Sequence, residues 1–177
     1  MQNLAQMPVP RQHAPFSSVL VEHYRDAAHC IAWSGNVQMI VSLEPPTNEV
    51  MQKIIGGLDA LSARCRCGTG SLVVINSDCP PPSDEARRYI KAELARSSMV
   101  AAAQVVEGTG FRGAAMRAVL SMLQLASRAS YPMSVFSGVP EGAAWLCTEL
   151  NKRIGRAPEA GDVVSAVNEC RRRLTAG

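Results

Sequence analysis

A chain of 177 residues with 18 Lys and Arg against 15 Asp and Glu is sized for one domain, burying roughly 70% of its unfolded surface. A formal charge of +3 and 5% aromatics lack the dense basic face and stacking platforms of a nucleic-acid binder, and no run approaches the ~20 apolar residues of a membrane span. Six irregularly placed cysteines in an ample core read as reduced thiols rather than staples, and point to the cytoplasm.

Met1–Pro15 has no basic region followed by an apolar core, so it is not a secretory signal. Residues 1–17 read as a flexible tail rich in Gln, Pro and Ala. Val19–Tyr24 and Cys30–Trp33 then read as an antiparallel pair around Arg25-Asp26-Ala27-Ala28. Val37–Leu43 is a further strand or an irregular extension. Pro45-Pro46 breaks the chain, and Thr47 or Asn48 is a natural N-cap. The next helix sets Met51, Ile54, Ile55, Leu58 and Leu61 on one face. Gly56 and Gly57 inside it cost about 1 kcal/mol each against alanine, which close packing or flexibility would explain.

Beyond Cys67-Gly68-Thr69-Gly70, a short apolar run gives way to an amphipathic helix three times. Leu72–Ile75 leads into Asp84–Ser97, Val100–Val106 into Phe111–Arg128, and Ser134–Phe136 into Glu141–Arg153. That alternation is the signature of βα units on a buried parallel sheet. The predicted fold class is therefore α/β: a single domain, a central mostly parallel mixed sheet, flanking helices and a C-terminal helix.

Two segments carry more apolar surface than a sheet-packed helix needs. On Phe111–Arg128 the apolar residues span roughly 220° at the ideal period, so a neighbouring helix, the C-terminal extension or another protein must cover the excess. Met116, Leu120 and Leu123 are the candidate partner surface there. After Gly155, with Pro158 near the first helical position, Val163, Val167, Cys170 and Leu174 recur at i, i+4, i+7 and i+11. That seam is too short for a free coiled coil and must dock on the domain or on a partner.

Candidate chemistry is sparse. Gly108-Thr109-Gly110-Phe111-Arg112-Gly113 fits G-x-G-x-x-G, where backbone amides can approach a phosphate. Against a dinucleotide stand its late βα unit, the charge of Glu107, and the absence of an acidic residue ending the next strand. A tight turn with close helix packing is the expectation, with Gly108, Gly110 and Arg112 as candidates for a small anion. The loop Asn76–Ser83, stiffened by three prolines, leaves a strand end where open α/β sheets place ligands; a stiff connection is the competing reading. Cys65-Arg66-Cys67 with Cys79 lacks the paired spacing of a zinc site, and no metal or cofactor is expected. The histidines, His13, His23 and His29, accompany no G-x-S-x-G elbow, and a strand histidine is expected to be exposed.

The antiparallel start, the strand–helix units and the final Pro132-Met133-Ser134-Val135-Phe136 with Glu141-Gly142-Ala143-Ala144-Trp145-Leu146 resemble divergent bacterial STAS-like domains, the sulfate-transporter and anti-sigma-factor-antagonist class. The resemblance covers residues 18–153, with 154–177 as a C-terminal helical extension. It implies a non-enzymatic cytoplasmic module that docks on a regulatory partner, sometimes under phosphorylation control. Its regulated hydroxyl position implies Ser77 or Ser83 here, although Asn76-Ser77-Asp78 and three prolines depart from the usual Asp-Ser loop.

The function expected is regulation or scaffolding through protein–protein binding, self-association included, without nucleic acid or membrane insertion. The alternative is an enzyme or sensor that binds a nucleotide or small anion at the loops after 72–75 and 100–106.

Overall fold

The computed structural model describes residues 19–76, 79–80, 88, 99–108, 110–127 and 129–176. The expected tail, the helix Asp84–Ser97 apart from residue 88, Ser77 and Ser83 lie outside the described residues. The elements run β1 (Val21–Arg25), β2 (His29–Ser34), β3 (Val37–Ser42), α1 (Asn48–Arg64), β4 (Thr69–Asn76), β5 (Met99–Glu107), α2 (Phe111–Ser127), β6 (Met133–Phe136), α3 (Val139–Ile154) and α4 (Ala160–Thr175).

One six-stranded sheet holds them in the order β1-β2-β3-β4-β5-β6. β1 pairs antiparallel with β2 and β2 with β3, and β3, β4, β5 and β6 run parallel to one another, so only β2 opposes the other strands. The fold is thus the α/β class with the mostly parallel mixed sheet that the periodicity predicts. Residues 37–42, left open between strand and extension, form a central strand buried at every position.

Alternation along β4 divides the core. Leu72 and Val74 face α3 and α4, meeting Leu146, Leu150, Val163 and Val167 in the main cluster. On the opposite face Leu58 of α1 packs with Met99, Ala102 and Tyr131, and α2 lays Met116 and Leu120 on Val106, Ile75 and Val135. Helix α4 is therefore a structural member of the main core.

That arrangement corrects part of the expected partner surface. Val163 and Val167 are fully buried and Leu174 packs against the same cluster, because the seam spends its apolar area on the chain's own sheet. Met116 and Leu120 are likewise buried, at 9% and 8% exposure. Pro158 also stands outside the helix: Glu159 is the N-cap and α4 begins at Ala160.

Local chemistry explains the boundaries. Thr47 caps α1, its hydroxyl accepting from the Val50 amide at 3.3 Å. Gly57 faces the sheet, where an added Cβ would lie 2.7 Å from Gln38 Oε1 and 2.8 Å from His23 Cδ2. Gln38 fills that contact, accepting from Trp33 Nε1 and donating to the Ile54 carbonyl at 2.9 Å. Register shifts between Glu22 and Tyr24, so His23 forms a bulge and stacks on Trp33 with centroids 5.1 Å apart. His29 departs from the expected exposed strand histidine. It is buried, with Nδ1 on Asp26 at 3.1 Å and Nε2 on the Glu44 carbonyl at 3.1 Å, which ties the first turn to the β3–α1 loop.

Candidate functional site

The parallel register decides what the carboxyl edge of the sheet brings together. Asn76 and Glu107 are Cα partners at the ends of β4 and β5, so the chain leaves both strands side by side. Gly108 and Gly110 take φ of +125° and +89°, values that suit glycine. A Cβ at Gly113 would come within 2.7 Å of the Gly108 carbonyl, and Arg117 Nη1 donates to the carbonyls of Val106 at 3.2 Å and Gly108 at 3.4 Å. The glycine motif thus builds a tight turn that seats the first turn of α2 against the end of β5. Arg112 lies on that first turn, its side chain outside the described set.

Glu107 is not left bare beside the turn. Arg171 of α4 reaches it at 2.6 Å, and both border a hollow of about 440 Å³ that also touches Asn76, Gly108 and Leu174. The hollow pairs one carboxylate with one guanidinium, so its walls carry no net positive charge for an anion.

A second cavity, of about 210 Å³, separates α1 from α2 over the sheet. Gln38, Ser71 and Gln104 are among its lining residues, with Ile54, Met116 and Leu120. Cys79, Pro80 and Met99 also line it and border the stretch outside the described residues.

The feature that stands out for recognition is the outer side of α2. Phe111 is 88% exposed and Met122 63%, and Ala115 and Ala118 between them are exposed too. These four occupy i, i+4, i+7 and i+11, within about 60° of arc on the ideal helix. Met116 and Leu120 point the opposite way, into the sheet. The wide apolar arc therefore divides into a buried inner half and an exposed outer stripe. Leu123 belongs to the same helix, its side chain outside the described set.

Met116 and Leu120, the candidates from the sequence, lie on the buried half of α2, and the exposed apolar residues lie on the other half. Spacing had the information, since the i, i+4, i+7, i+11 pattern noted at residues 163–174 recurs at 111–122. Only the strand positions show which of the two is covered.

Catalytic groupings are not assembled among the described residues. No group of three or more His, Cys, Asp or Glu is placed to hold a metal ion there. His29 is committed to Asp26 and Glu44, on the first hairpin rather than at the glycine turn. Cys147 is buried, its thiol pushed up to about 11 by burial and by Glu159. None of the described helices is long and apolar enough to cross a membrane.

No family model matches the chain, and no curated protein or solved structure matches it.

Proposed function

We propose that this chain is a non-enzymatic regulatory or scaffolding module that binds a partner protein through the outer stripe of α2. The observation that carries the reading is the exposure of Phe111 and Met122 on one line of the helix with Ala115 and Ala118 between them. Small residues flanked by two large apolar ones let a second helix approach closely, with knobs at either end. An aromatic held 88% in water forgoes much of its burial energy unless something covers it.

Charge selects the occupant. Residues 111–128 contain Arg112, Arg117 and Arg128 and no Asp or Glu, so a second copy of this helix would set like charges together. A partner helix with an apolar seam and acidic flanks is the better complement. The resemblance to STAS-like domains, which act by docking on regulatory partners, agrees with this class of function.

The test places a photo-crosslinking residue at Ala118 of the full chain in its native cell. A discrete adduct with another protein, lost in Phe111→Asp, is the expected result. An adduct with a second copy of the chain, or one of equal yield in Phe111→Asp, would overturn the assignment.

A second reading rests on the adjacency of Asn76 and Glu107: a small anion or nucleotide bound at the loops after β4 and β5, with Gly108, Gly110 and Arg112. Gly110→Ala, strained at a φ of +89°, should then abolish any thermal stabilisation by nucleotides. Retained stabilisation would remove this reading.

A further inference from the structure

At the opposite, amino-terminal edge of the parallel strands lies a hollow of about 570 Å³, within the range of small-ligand sites. Its lining includes Arg64 from the last turn of α1, Arg66 just beyond it and Arg156 between α3 and α4, and contains no Asp or Glu. We infer that this hollow binds a small oligophosphate, free or carried on an organic body, through those three arginines.

Convergence of three like charges is unfavourable unless something offsets it. Elsewhere this protein offsets its arginines internally: Arg25, Arg153, Arg171, Arg172 and Arg173 each lie within 3.5 Å of a glutamate oxygen. Arg64 and Arg66 have no ion pair or hydrogen bond among the described residues. The C-terminal dipole of α1 favours one cation, Arg64; it gives no reason for Arg66, which lies off the helix. Nor do residues 1–18, which precede the lining residue Val19, bring a counter-charge, for they contain no Asp or Glu.

Backbone positions on two sides of the hollow are held by one buried side chain. Asn36 Nδ2 donates to the Gly68 carbonyl at 3.1 Å and to the Arg156 carbonyl at 3.4 Å, and the Gly70 amide donates to the Asn36 carbonyl. The segments bearing Arg66 and Arg156 are thereby set relative to each other before any ligand arrives. Burial pushes the Cys65 thiol up and Cys67 adds to that, while Arg64 and Arg156 both pull it down. Guanidinium groups match phosphate oxygens in pairs. Trp33, Val21 and Leu61 provide an apolar side to the same hollow, suited to an organic body.

The site differs from the carboxyl-edge loops, so one titration separates the two. Isothermal titration of the full chain with inorganic tripolyphosphate and with ATP should show salt-sensitive binding. Arg64→Ala with Arg66→Ala should weaken it at least about tenfold, since charge-assisted bonds are lost. Both side chains are exposed, so the double variant should fold, which circular dichroism checks. Arg153→Ala should change the affinity less than about twofold. ATP binding well above tripolyphosphate would assign the apolar side to an organic body, and equal binding would assign recognition to the phosphate chain alone. No binding of either at millimolar concentration, or binding indifferent to the double substitution, would overturn the inference.

Discussion

Arg171 Nη2 lies 2.6 Å from Glu107 Oε2, joining the last turns of α4 to the end of β5 across the carboxyl edge of the sheet. The side chains are 34% and 41% exposed, so water screens the pair and its contribution should be about 0.2–1 kcal/mol. Arg171→Ala should lower the thermal midpoint only slightly, by less in high salt. A double-mutant cycle with Glu107→Gln measures the coupling.

Two neighbouring glycines should respond in opposite directions. At Gly57 an added methyl meets Gln38 Oε1 at 2.7 Å, and Gln38 is buried and held at both ends. Gly57→Ala should therefore cost about 1–3 kcal/mol through overpacking. At Gly56 nothing lies within 4 Å, so Gly56→Ala should stabilise the helix by about 0.5–1 kcal/mol. Urea unfolding of both variants decides the contrast.

Acid should weaken the first turn before it disturbs the core. Burial of Asp26 favours its neutral form. The Ala28 amide, the Tyr24 hydroxyl, and the His29 amide and ring outweigh that, holding the carboxyl below its ordinary value of 3.8. A carboxylate lowered on folding adds stability above its unfolded pKa, and that stability is lost as pH falls through the folded one. The advantage of the wild type over Asp26→Asn should thus shrink from about pH 5 to about pH 2. Thermal midpoints of the two proteins across that window test it.

Thiol chemistry should report the core directly. Cys67 is exposed, Cys65 partly buried, and Cys30, Cys79, Cys147 and Cys170 buried. The Cys170 thiol is pushed up by its hydrogen bond with Cys30 and by burial, which keeps it inert toward oxidants and electrophiles. A chromogenic disulfide reagent should find one fast thiol, absent in Cys67→Ala, one slow thiol, and four that react only on unfolding.

The outer stripe of α2 should tolerate polar replacement when the protein is alone. Phe111→Asp and Met122→Asp should leave unfolding free energy within about 0.5 kcal/mol of the wild type, because water already surrounds both side chains. A larger loss in chemical denaturation would mean that the stripe contributes to the fold.

Local patterns in the sequence determined much of this architecture. The strand–helix alternation, the Thr47 cap, the glycine end of α3 at Gly155 and the tight turn at Gly108–Gly113 all follow from period, capping and backbone freedom. These depend on residues a few positions apart, so the chain carries them in short windows. Which apolar stripe met the sheet was decided elsewhere. The seam at Val163 and Val167 and the stripe at Phe111 and Met122 share one spacing, yet the first is buried and the second exposed. The meeting of Arg64, Arg66 and Arg156 at one hollow likewise has no local signature. Burial and charge convergence depend on residues distant in the chain, and only the register and crossover of the strands bring those together.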